Sequence, residues 1–154
     1  MYPVNFIFVL LVGGGNEEPG WRGFALPGIQ EKYGPLISSL ILGPIWLLWR
    51  VPLFFSPYTS QSVIPFEWYV PNIIGIAIIT TWLYNGTSRS VLLASMLHAG
   101  LNALAAFYPC MINIGPFPAY AFLTMGAWII VTFIFLMDRA ALTGLVKTEI
   151  KMTG

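Results

Sequence analysis

Glu17-Glu18-Pro19-Gly20-Trp21-Arg22-Gly23-Phe24-Ala25-Leu26-Pro27 decides how the rest of the chain is read. Two adjacent carboxylates and an arginine follow directly on the apolar run Phe6–Val12 and the glycines Gly13-Gly14-Gly15. A carboxylate beside hydrocarbon is costly, so an ionisable group at membrane depth marks function by default. Pairing with Arg22 offsets part of that cost. A polar loop touching the bilayer surface would carry the same residues, and composition alone does not separate the two readings.

Outward from this stretch the chain is strongly apolar. Of its 154 residues 57% are hydrophobic and only 8% charged, with a mean hydropathy of +0.77. Soluble domains carry about 25% charged residues. So few charges do not solvate a globular surface, and the expected fold is all-α: a single membrane-embedded domain over residues 1–154, a polytopic helix bundle of about five spans. A net charge of +1 leaves no basic patch to neutralise phosphates, which excludes nucleic acid as a partner. The lone Cys110 forms no internal disulfide. Met1–Val12 lacks the basic start of a signal peptide and is read as retained structure.

A span needs about 20 mostly apolar residues. The expected spans are Pro3–Trp21, interrupted by the glycines; Leu36–Phe55, carrying Arg50; Val70–Tyr84, with Pro71 as an early helical residue; Ser90–Tyr108, with Ser88 as N-cap; and Phe117–Met137, free of charge. Asn85-Gly86 and the segment from Pro109 to Pro118 supply turn chemistry. Alternating the spans puts Lys32, Arg89, Arg139, Lys147 and Lys151 on one side and no lysine or arginine in the loops of the other. The positive-inside rule then makes the first side, with the C-terminus, cytoplasmic, and the plasma membrane the expected location. Trp49, Phe54, Phe55, Tyr58, Phe66, Trp68 and Tyr69 gather at the opposite boundary, as an interfacial belt does.

Depth along the helices, at about 1.5 Å per residue, brings the polar groups to similar heights. His98 lies roughly 12 Å from the cytoplasmic turn, Asn102 one turn deeper on the same face, Arg50 roughly 20 Å in and the two glutamates roughly 15 Å. Ser95 shares the His98 face. A bundle turns such faces inward. Each group also has a plainer reading: His98 as a hydrogen-bonded core residue, Asn102 as interhelical glue, Arg50 snorkelling outward from near its helix end. The coincidence in height weighs against all three at once.

The run from Glu17 to Pro27 with Gln30 resembles the first motif, Glu-Glu-x-x-x-Arg, of the CPBP family of CAAX prenyl proteases and bacteriocin-processing, abortive-infection-type proteins. Ser95-Met96-Leu97-His98-Ala99-Gly100-Leu101-Asn102-Ala103, preceded by Thr81 to Asn85, resembles its third motif, His-x-x-x-Asn. The match covers roughly Val12 to Phe107, and family members usually carry further helices upstream. The resemblance implies an intramembrane endopeptidase acting on hydrophobic or prenylated peptides or proteins in the lipid bilayer. It makes Glu17 the base that activates water, with Glu18 beside it, Arg22 the partner that fixes the glutamates, and His98 and Asn102 the donors to the oxyanion. Losing one such donor typically costs about 3–4 kcal/mol of barrier height.

The second motif departs from the family. Where the pattern is Phe-x-x-x-His, this chain has Trp46-Leu47-Leu48-Trp49-Arg50, followed by Val51-Pro52-Leu53-Phe54-Phe55 that holds the register. His98 is the only histidine in the chain. A guanidinium donates hydrogen bonds and does not give up its proton. A permanent cation beside a carboxylate weakens it as a base, and pairing with Glu17 blocks the place of the water. Arg50 also has the chemistry to stabilise an oxyanion. The sequence therefore leans towards reduced or absent protease activity. The alternative, of a different class, is a non-catalytic relative that binds a membrane peptide or partner in an immunity or scaffold role. A small transporter is a weaker third option.

No metal and no cofactor are expected. Glu17, Glu18 and His98 would give zinc three ligands, but Arg50 brings a competing cation to the same place. The three glycines lack the preceding strand and following Gly-Lys-Ser/Thr of a phosphate cradle. Asn85-Gly86-Thr87 fits a glycosylation sequon but falls on the cytoplasmic side of this topology.

Overall fold

The computed structural model describes residues 2–105 and 118–144. The loop Pro109–Pro116 with Cys110, the end of the fourth expected span at Tyr108, the start of the fifth at Phe117 and the tail lysines Lys147 and Lys151 lie outside the described residues.

The first expected span is two elements. Helix α1 (Tyr2–Leu11) has 10 residues, roughly 15 Å of helix against a hydrocarbon core of about 30 Å. It stops at the glycines, where Gly13 leaves helical geometry at φ −97, ψ −141. A Cβ on Gly13 or Gly15 would stand 2.9 Å from the backbone of Val9 or Leu10, so the chain folds back this tightly only without side chains there. A second helical run, α2 (residues 14–30), follows with uneven winding. It opens with a 3₁₀ turn (Gly14–Glu17) and an α turn (Glu18–Gly20), widens to a π turn (Trp21–Ala25), and closes as α-helix (Leu26–Gln30). Such π turns are often found at functional sites.

Pro35 begins α3 (Pro35–Arg50), where a missing N–H costs nothing. Pro52 lies in the tighter turn Val51–Phe55 that continues it. Three long helices follow: α4 (Phe66–Gly86), α5 (Val91–Ala105) and α6 (Ala119–Met137). A short α7 (Arg139–Thr143) ends at Gly144, whose φ of 73 and N–H bond of 2.9 Å to Ala140 O make a left-handed cap.

Among the described residues three helical stretches are long and apolar enough to cross a membrane: Pro35–Phe55, Phe66–Gly86 and Ala119–Met137; the apolar helix Val91–Leu104 is shorter. The fold is an all-α membrane bundle. Helix α4 packs between α3 and α6. One core cluster joins Trp46, Tyr69, Ile73, Ala77 and Tyr120, and a second joins Ile78, Ala127, Val131, Ile134 and Leu142. Gly43 lets α3 and α4 close up, since a Cβ there would meet Ile74 Cδ1 at 2.9 Å. Helix α1 lies along α5, to which Tyr2 Oη and Asn5 Nδ2 donate at Gly100 O and Ala103 O, both 3.2 Å. Leu48, Phe133 and Leu136 face outward, where lipid solvates them.

Two expected boundaries shift. Helix α4 starts at Phe66, with Glu67 in its first turn near the positive helix end and Pro71 inside the helix. Asn85 and Gly86 stay helical, and the reversal is made by Ser88 and Arg89 at φ 54 and 63. Arg89 N–H closes it on Tyr84 O at 2.9 Å. Spent on the turn, Ser88 does not take the extended conformation of an N-cap. Ser90 does the capping, its Oγ accepting from Leu93 N–H at 3.3 Å.

Candidate functional site

Successive residues on a helix point about 100° apart, and α2 uses that to send its two glutamates to different places. Glu18 is fully buried. Its Oε1 accepts from Arg22 Nη1 at 2.8 Å, the residue one turn on, and lies 2.7 Å from His98 Nδ1 on α5. Arg22 is equally buried, its guanidinium 5.0 Å from the centre of the Trp46 ring, a cation–π distance. The edge of Trp46 meets His98 at a ring separation of 4.9 Å and an angle of 77°.

Glu17 faces α3. Its Oε2 accepts from Trp21 Nε1 at 3.3 Å, Trp46 Nε1 at 3.1 Å and Arg50 Nη2 at 3.0 Å. The same Nη2 is 3.0 Å from Oε1, so it straddles the carboxylate. It also lies 2.9 Å from His98 Nε2. A guanidinium nitrogen only donates, which makes Nε2 the acceptor. The proton of a neutral His98 is therefore on Nδ1, where it is donated to Glu18; the hydrogen-bond network assigns this tautomer.

Asn102, one turn beyond His98, completes the cluster. A Cβ on Gly14 would run into Asn102 Nδ2 and stand 2.9 Å from Arg50 Nη2. The bare backbone of Gly14 thus forms the wall that α5 and Arg50 close upon.

Two voids meet at this cluster. A partly open chamber of about 310 Å³ lies among α4, α5 and α6, apolar along Ile73, Ile76, Leu97 and Leu101, with His98, Asn102 and Arg50 at its polar end. A more open groove of about 740 Å³ runs past Gly14, Glu17, Trp21, Phe24 and Trp49. Among the described residues Arg50 is the one that lines both.

All of Glu17, Glu18, Arg22, Arg50, His98 and Asn102 meet here. Arg50 turns inward, with 8% of its side chain exposed, and does not snorkel. Ser95 is buried on α5 but makes none of these bonds. The sequence reading missed the parts played by Trp21, Trp46 and Gly14. Spacing held a signal for the indoles: Trp21 follows Glu17 by four residues and Trp46 precedes Arg50 by four, so each pair shares a helix face.

A helical membrane bundle that buries a Glu-Glu-x-x-x-Arg turn against a His-x-x-x-Asn helix is the class that fold and site define together. The sequence model of the type II CAAX prenyl endopeptidase Rce1-like family matches residues 1–104, and the chain belongs to that family. It is 33% identical over 105 residues to CAAX prenyl protease 2 of Methanococcus maripaludis, a stretch that covers 64% of this chain and 39% of that relative. The chain thus spans well under half of that protein's length. No solved structure matches it.

Proposed function

We propose that this chain keeps the chamber of a CAAX-protease-type membrane endopeptidase but holds it in a form that binds an apolar or prenylated C-terminal tail with little or no hydrolysis. The observation that carries the reading is the placement of Arg50 Nη2, 3.0 Å from both oxygens of Glu17 and 2.9 Å from His98 Nε2. Hydrolysis in this family pattern needs Glu17 to take a proton from water while His98 and Asn102 donate to the oxyanion. Here three N–H donors already engage Glu17. His98 Nε2 is an acceptor for Arg50 and has no proton to offer an oxyanion. Asn102 and Arg50 itself remain as donors, which is enough to polarise a carbonyl but supplies no activated water. Glu18 and Arg22 act as a positioning pair that fixes the His98 ring.

The test is cleavage of a prenylated CAAX peptide by the purified chain in liposomes. The wild type is expected near background while retaining the peptide. Arg50→His, which frees Glu17 and Nε2, is expected to raise cleavage about a hundredfold, the scale of one restored oxyanion donor. Glu17→Ala in that background returns it to background. A wild type that cleaves, with no gain from Arg50→His, overturns the reading. The lysine and arginine distribution supports a cytoplasmic C-terminus; protection of a C-terminal tag in right-side-out vesicles tests that placement.

A further inference from the structure

We propose that Arg50 makes the chamber among α4, α5 and α6 a receptor for a single-chain amphiphile with a carboxylate head. The walls are hydrocarbon, from Ile73, Ile76, Leu97, Leu101, Leu123 and Ile130. The polar end is rich in donors. Arg50 commits only Nη2 to Glu17 and His98, and its buried Nε has no hydrogen-bond partner among the described residues. The Asn102 amide and the Tyr69 hydroxyl, both on the chamber wall, are also without one among the described residues. Asn72 accepts from Tyr120 Oη at 3.2 Å through its Oδ1, which leaves its N–H₂ to donate.

A carboxylate accepts only, at about four lone-pair sites, and matches such an end. An ester or alcohol head supplies no charge for Arg50, and a cation is repelled. Glu17 lines the groove and not the chamber, and besides Arg50 it is held by two indoles, Trp21 on the groove wall and Trp46 on the chamber wall. On the chamber side the same guanidinium is bordered by hydrocarbon walls, which strengthen a charge pairing. A volume of about 310 Å³ is at the lower end of ligand pockets, about 300–1,000 Å³, and takes one chain rather than a two-chain lipid.

Two sources share this chemistry. One is a free fatty acid. The other is the new C-terminus left when a peptide bond beside a lipidated cysteine is hydrolysed; this source rests on the reading above, in which the chain holds such tails without cutting them.

The experiment is calorimetric titration of the full chain in detergent micelles with four probes: N-acetyl-S-farnesylcysteine, its methyl ester, laurate and methyl laurate. At least one acid is expected to bind about tenfold or more tightly than its ester, as a charge-assisted bond implies. In Arg50→Met combined with Glu17→Gln, which leaves no orphan carboxylate, acid and ester are expected to bind alike. Preference confined to the farnesyl acid identifies a lipidated terminus, and preference for laurate as well identifies a free acid. Equal binding of acid and ester by the wild type, or a preference that survives in the double variant, overturns the proposal. Should the double variant fail to fold, Tyr69→Phe is expected to lower the acid-to-ester ratio about threefold, the scale of one hydrogen bond; an unchanged ratio counts against it. A wild type that cleaves prenylated peptide yet prefers the acids overturns only the hydrolysis reading, whereas one that neither cleaves nor discriminates overturns only this one.

Discussion

Glu18 meets Arg22 and His98 in a space with no solvent exposure, whereas Glu17, one residue earlier, meets Arg50 and two indoles with 21% of its side chain open to the groove. One turn of helix thus carries a carboxylate sealed inside the fold and a carboxylate at a surface that a ligand can reach. The lesson is that a Glu-Glu pair need not be a doubled version of one function. The buried member sets the orientation of the histidine. The partly open member lines the groove.

Substitutions break or sharpen that contrast in a definite order. Glu18→Ala leaves Arg22 as a buried unpaired cation and is expected to cost about 3–5 kcal/mol; thermal unfolding in micelles should show it far below the wild type. Glu17→Ala should unfold closer to the wild type, since Glu17 is 21% exposed to the groove and water can take its place beside Arg50. Equal losses from the two would abolish the distinction. Gly14→Ala drives a methyl group into Asn102 and Arg50 and is expected to cost about 1–3 kcal/mol as overpacking, with weaker retention of prenylated peptide. Trp46→Phe removes one donor to Glu17 and should lower stability by about 1.5–3 kcal/mol if that charged bond is intact. A mutant cycle with Glu17→Gln is the check, and a zero coupling would mean the indole merely fills space. Far from the site, Ser88→Gly relieves a left-handed backbone and is expected to add about 1 kcal/mol, without affecting binding.

Much of the site was legible because four-residue spacing is a geometric statement. Glu18 with Arg22, and His98 with Asn102, share faces whatever the tertiary fold. The low charge content likewise made a membrane bundle the natural reading. That Glu18 would be sealed while Glu17 stays partly open was not legible, since it depends on how α2 winds, and the π turn at Trp21–Ala25 is written in no propensity. The break at the glycines was visible only as permission: Gly13, Gly14 and Gly15 allow a bend without dictating it. Asn85-Gly86 looked like the turn, but α4 continues through it and the strain passes to Ser88 and Arg89. Inward or outward was open for Arg50 because a long side chain near a helix end can do either.

One guanidinium lines both voids. If an acid binds in the chamber as proposed, its pull on Arg50 competes with the hold of the same guanidinium on Glu17 at 3.0 Å. Linkage of that kind would be reciprocal, so an occupant of the groove would in turn change the affinity of the chamber.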